Sequence, residues 1–229
     1  DRKDVQYIFC TYDLESIPEI NEGDEVYIFD FSFDRDLLLD WYDKAETLVL
    51  LDHHVSAEKK LGDLHFTTFD MNHSGAWLAW SFFHPDMVVP KLIEYVEDRD
   101  LWNWKLPKSK EITSMIDSYN FTFEDWDELH DDIEFSRDKV IAGGEAILRY
   151  KERTIDRLVE KAESIDIDGY QVMAVNTPVF QSEVGHKLLE TYPWIPFSAS
   201  YTVNKDMIYY SLRSEEGRED VSKIATKLG

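Results

Sequence analysis

Residues Leu48–Val55 read L-V-L-L-D-H-H-V, an apolar run that stops on Asp52, His53 and His54. Such a run is a buried strand, and its ending brings an acid and two imidazoles to the rim of a sheet. In open α/β folds the rim at the strand ends is where ligands bind. Carboxylate together with neutral imidazole suits Mn²⁺, Fe²⁺, Zn²⁺ or Ni²⁺. The plainer reading is a capping aspartate beside two surface histidines, and the run by itself leaves both open.

The surrounding sequence alternates strand and helix signals. Strands are expected at Val5–Thr11, Glu25–Phe31, Thr47–Leu51 and Leu64–Phe69. Asp34–Ala45 has a helical face of Leu37, Leu38, Trp41 and Tyr42, and further helices follow at Ser74–Phe83 and Pro90–Glu97. This spacing implies a parallel, helix-covered sheet. Residues 105–132 read as irregular, with Pro107 and the acidic, aromatic stretch Phe121–His130. A single long helical pattern runs from Phe135 to Ser164, interrupted by Gly143-Gly144.

Beyond it the pattern restarts. Tyr170–Asn176 reads as a strand and Ser182–Leu189 as a helix. Phe197–Val203 and Met207–Arg213 read as strands around the turn Asn204-Lys205-Asp206, and Asp220–Leu228 as a closing helix. The expected class is therefore α/β. A parallel-sheet domain (1–132) is joined by a connecting helix (133–165) to a smaller α/β domain (166–229).

Composition narrows the function. Seven Trp, 12 Tyr and 13 Phe among 229 residues exclude a globally disordered chain. A net charge of −23 argues against broad binding to duplex DNA, which needs clustered Lys and Arg. The densest basic patch of the first domain is Lys105, Lys108 and Lys110. No apolar run approaches the about 20 residues of a membrane helix, and no signal peptide is visible before Val5–Cys10. The single cysteine, Cys10, reads as a small core residue. A cytoplasmic protein is expected.

Two other segments place acids at element ends. Asp30 closes the apolar strand before Phe31-Ser32, or caps the helix that begins near Asp34. In Y-V-E-D-R-D-L-W-N-W (Tyr95–Trp104), Asp98 and Asp100 close the helix begun near Pro90. Acids there oppose the helix macrodipole, so something should compensate: a bound cation, or Arg99 in a salt bridge.

Taken together, these segments resemble the DHH phosphoesterases, the family of RecJ-type exonucleases, nanoRNases, cyclic-dinucleotide phosphodiesterases and a branch of inorganic pyrophosphatases. The resemblance rests on the D-H-H strand end, the preceding Asp30, the V-E-D-R-D-L-W segment and the turn Asn72-His73-Ser74-Gly75-Ala76-Trp77. Near the end, Tyr210–Ser214 and Asp220–Ala225 resemble the family's nucleic-acid-type C-terminal domain.

The resemblance implies roles. Asp30 would bridge two metals and His53 would be a metal ligand. Asp52 would act beside it as ligand or orienting group, and His54 would face the substrate phosphate. Asp98 would be the further metal acid, with Asp100 as fallback and Trp102 and Trp104 at the aromatic positions. Arg213 would hold a substrate phosphate. Two features of the family are missing, the H-x-D-x-D-type first motif and the C-terminal G-G-G-H loop. Both fall at the ends, so the sequence reads as trimmed from a longer protein.

The expected activity is hydrolysis of short single-stranded oligonucleotides or dinucleotides with two divalent ions, Mn²⁺ first and Mg²⁺ second. A homodimer through the first helices is open. The rivals are a pyrophosphatase-like phosphohydrolase and a catalytically degenerate nucleotide-binding protein. His73, at a helix start, reads equally as a phosphate contact or part of a cap. Ser182 and His186 lack an orienting acid and form no nucleophile–base pair.

Overall fold

The computed structural model describes residues 5–10, 17–205, 207–215 and 217–228. The chain divides into two compact units, and the division falls between Ile141 and Ala142. Both are mixed α/β in the sense that the chain carries a parallel three-stranded sheet and a mixed four-stranded one.

The first unit is built on strands β1 (Glu25–Phe29), β2 (Thr47–Asp52) and β3 (Thr67–Phe69), paired in parallel in that order. Helix α1 (Arg35–Lys44) connects β1 to β2, and α2 (Val55–Leu61) connects β2 to β3. The apolar run of β2 explains its central place, since Leu48, Leu50 and Leu51 are buried. Leu50 is fully buried, with Ile28, Leu38, Trp41, Leu61 and Phe66 in the same cluster. Complete burial of such a side chain is worth about 2 kcal/mol. In register Phe29 pairs with Leu51, so Asp30 and Asp52 emerge side by side at the same end of the sheet.

The further helices of this unit are α3 (Gly75–Phe83), α4 (Lys91–Asp100), α5 (Ser109–Ile116), α6 (Phe123–Phe135) and the start of α7 (Arg137–Val159). The stretch 105–132, expected to be irregular, holds α5 and most of α6. The reason is burial: Ile112, Ile116, Leu129 and Ile133 form an apolar cluster with Leu92, Tyr95 and Val140. A capping box at Thr122 and Asp125 starts α6 despite its acidic composition. The expected single helix from Phe135 to Ser164 is also corrected. Ser136 separates α6 from α7, and residues from Glu163 form a strand. Val5–Cys10 carry no strand, and Thr11 lies outside the described residues.

The second unit orders its strands β4 (Glu163–Ile167), β5 (Tyr170–Asn176), β6 (Ser198–Asn204) and β7 (Met207–Arg213). The β5–β6 pair is parallel, bridged by α8 (Gln181–Thr191), and the other pairs are antiparallel. One cluster joins Ile155 and Val159 of α7 to Val175 and Leu188; another joins Val172 and Phe197 to Ile224 of α9 (Val221–Leu228). No helix among the described residues is long and apolar enough to cross a membrane.

Candidate metal centre

Asp30 follows β1 directly. Its amide still donates to Leu51 at 3.0 Å, as if continuing the ladder, but its φ of 55° turns the chain sharply. That left-handed conformation costs a non-glycine residue about 1 kcal/mol, and aspartate is among the residues that tolerate it. The turn leaves the Asp30 carboxylate on the sheet rim instead of in line with the strand. One strand over, Asp52, His53 and His54 leave β2, and donor atoms of these four residues lie within 4.8 Å of one another.

Within the cluster the roles divide. The Asp52 side chain is 1% exposed and saturated with hydrogen bonds. Its Oδ1 accepts from the amides of His53 (2.7 Å) and His54 (3.2 Å) and meets His54 Nδ1 at 2.6 Å. Its Oδ2 accepts from Ser32 Oγ at 2.6 Å. Burial alone would raise the Asp52 pKa, but the bonds from His54 and Ser32 carry it below its ordinary value. Asp52 is thus an orienting group. It fixes the His54 ring through Nδ1, in a side chain that is half exposed. The same bond raises the His54 pKa above its usual range.

His53 faces the other way. Its Nε2 lies 3.0 Å from Asp30 Oδ1 and 3.3 Å from Asp100 Oδ2. The Asp30 hydrogen bond is the main cause that raises the His53 pKa. Burial, with the neighbouring Asp30 charge, pushes Asp100 up. Two carboxylate oxygens converging on one imidazole nitrogen ask for a positive charge. A doubly protonated His53 ring would supply it, and the oxygen–nitrogen donor set equally suits a divalent cation. Asp30, Asp52, His53 and His54 present donor atoms close enough together to hold one, and Asp100 lies beside them against His53.

Asp98, chosen from the sequence as the metal acid, has another task. It is buried, and its two oxygens accept the amides of Lys105 (2.8 Å) and Leu106 (3.1 Å), organising the turn after α4. Asp100, the fallback, takes the place facing His53. The reason lies in helix geometry: α4 continues to Asp100, and residues two apart face different sides. The compensation sought for these acids is therefore split between backbone amides and His53, while Arg99 reaches Asp117. Trp102 and Trp104, both at positive φ, pack edge to face in the same turn.

Gly75, the first residue of α3, completes the wall beside Asp30. A Cβ there would lie 2.3 Å from Asp30 Cβ and 2.8 Å from its Oδ1. His73 is tied to Glu97, Nδ1 to Oε2 at 3.2 Å, and its ring stacks on Trp77 at 3.5 Å. Glu97 was not singled out from the sequence. Its place three residues before Asp100 on one helix is the signal that could have marked it. The basic patch is partly engaged, with Lys108 paired to Glu111 and Lys110 over the Trp104 ring.

Arg213 belongs to the second unit. Its Nη2 donates to Ser182 Oγ at 2.6 Å and its Nη1 to the Leu212 carbonyl at 2.8 Å. Its stem crosses Gly185, where a Cβ would come within 2.6 Å of Arg213 Cγ. Ser182 therefore serves to hold a guanidinium. Burial, then the Arg213 charge, lowers the His186 pKa.

No family model matches the chain. Along its whole length it is 31% identical, over 236 residues, to an uncharacterized protein of Acanthamoeba polyphaga mimivirus. The match covers 54% of that protein, so the chain spans about half the length of this curated relative. A crystal structure of an uncharacterized protein from Helicobacter pylori G27 aligns over 91% of this chain and 74% of that one, at 17% identity and a TM-score of 0.41. Both are uncharacterized, and neither assigns a chemistry.

Proposed function

We propose that the chain is a metal-dependent phosphohydrolase of the DHH phosphoesterase type, acting on phosphodiester bonds in short single-stranded oligonucleotides or dinucleotides. The observation that carries this reading is the convergence of Asp30 and Asp100 on His53 Nε2, beside a His54 whose ring Asp52 holds through Nδ1. A divalent ion, Mn²⁺ by preference, would supply Lewis acidity and a nucleophilic water of lowered pKa. His54, whose pKa the Asp52 hydrogen bond raises, would donate a hydrogen bond to a non-bridging phosphate oxygen. Ser32 and the amides of His53 and His54 keep Asp52 from turning away. Within the second unit, taken by itself, the Arg213 guanidinium held by Ser182 and the Leu212 carbonyl is of a chemistry suited to a phosphate. The donors described suffice for one ion; a second would need further acids.

The test is incubation of the chain with a labelled single-stranded pentanucleotide and with inorganic pyrophosphate, in Mn²⁺ and in EDTA. Mn²⁺-dependent release of mononucleotides, abolished by His53→Ala, is the expected result. Hydrolysis of pyrophosphate alone would transfer the reading to a pyrophosphatase. Failure to bind Mn²⁺ at all would overturn it.

A further inference from the structure

Helix α4 ends with two acids three residues apart, Glu97 and Asp100, which share one side of the helix. Asp100 faces His53. Glu97 Oε2 accepts the Ser74 amide at 3.0 Å, meets His73 Nδ1 at 3.2 Å and lies 3.5 Å from Ser74 Oγ. Ser74 Oγ in turn accepts the Trp77 amide at 3.2 Å and caps α3. The next residue is Gly75, pressed against the Asp30 carboxylate. One helix therefore carries an acid that faces the donor cluster and an acid that fixes the wall behind Asp30.

We propose that Glu97 is a positioning residue of the metal centre: by clamping the His73–Ser74 turn to α4 it holds Gly75 against Asp30 and sets the Asp30 carboxylate relative to His53 and Asp100. The inference rests on the metal-binding reading of that cluster. Its physical basis is tolerance. Metal donors must hold their geometry to about 0.5 Å, and they do so through groups that lock their neighbours. Asp30 has no helix of its own to restrain it; it sits on a left-handed residue after a strand. The close face of Gly75 bounds one side of that half-exposed carboxylate, but only while Gly75 stays in place. Glu97 is outside the donor group that would hold the ion.

Isothermal titration with Mn²⁺ on the full chain, alongside thermal unfolding, tests this in three variants. Glu97→Gln keeps the length and the acceptor for the Ser74 amide, and should bind Mn²⁺ within about threefold of the parent. Glu97→Asp is one methylene too short to reach that amide, and Glu97→Ala removes it. Both should lose about tenfold or more in affinity. Equal affinity in Glu97→Asp and the parent would overturn the positioning role while leaving the metal centre standing. Absence of Mn²⁺ binding in the parent would overturn the metal centre itself, and this inference with it. Should Glu97→Ala fail to fold, the Gln–Asp contrast decides alone, because both retain a polar side chain on the helix.

Discussion

Gly75 and Asp30 touch so closely that no side chain fits between them: a Cβ on Gly75 would stand 2.6 Å from the Asp30 carboxyl carbon. Replacing a helical glycine by alanine ordinarily stabilises by about 1 kcal/mol. Here the sign reverses. Gly75→Ala should cost about 1–3 kcal/mol through overpacking and weaken Mn²⁺ binding as Asp30 is displaced. Chemical unfolding and metal titration on the same sample measure both effects. A stabilised variant with unchanged Mn²⁺ affinity would refute the contact.

Asp98 and Asp100 should separate by experiment into a fold residue and a ligand. Asp98→Ala strands the amides of Lys105 and Leu106 and should destabilise by about 1–3 kcal/mol. Asp100→Asn should leave unfolding within about 1 kcal/mol, because its carboxyl is partly exposed and already disfavoured by burial. Its loss should fall on Mn²⁺ binding instead. A reversed pattern would return the metal role to Asp98.

At His53 a bound metal would compete with protons. Its pKa is raised above 6.5, chiefly by the Asp30 hydrogen bond, so Mn²⁺ affinity should fall about tenfold per pH unit below that raised value. The metal-free protein behaves differently. The raised His54 contributes stability that is complete below 6.5 and is lost as pH rises through its folded pKa. The depressed Asp52 contributes stability present above 3.8 and lost as pH falls through its folded pKa. Their pair therefore supports the fold between those limits. Unfolding curves of the EDTA-treated chain across pH should lose this dependence in His54→Ala.

Two substitutions outside the donor cluster gauge what holds the first unit together. Leu50→Ala removes a fully buried side chain from the central strand and should cost about 2–5 kcal/mol. Thr122→Ala breaks the capping box of α6 and should cost about 1 kcal/mol. Urea titrations followed by circular dichroism give both values. Equal costs would mean that the sheet core carries no more than a helix cap.

Much of the site's vocabulary was legible along the chain. An apolar strand ending on Asp52-His53-His54 announces itself, because burial and the change to polar ligands occur within eight consecutive residues. Asp30 was legible for the same reason, one strand earlier. Asp100 was weighed but placed second, since choosing between two acids in one helix turn requires knowing which side the helix presents. Glu97 was missed, because its partners lie more than 20 residues away at Ser74 and His73. The helices α5 and α6 were hidden by their charge. Their apolar positions are few, and each counts only because it meets Leu92, Tyr95 or Val140.

The sequence by itself determined the alternation of strands and helices from β1 to α4 in the first unit, the α/β character of the second, and the identity of the polar groups brought to the sheet end. Those follow from local periodicity, which neighbouring residues express without help from distant ones. Tertiary structure alone decided which acid faces His53, which one holds a turn, and why residue 75 must be glycine. Such decisions depend on distances between segments far apart in the chain, set by packing to fractions of an ångström that no local pattern encodes.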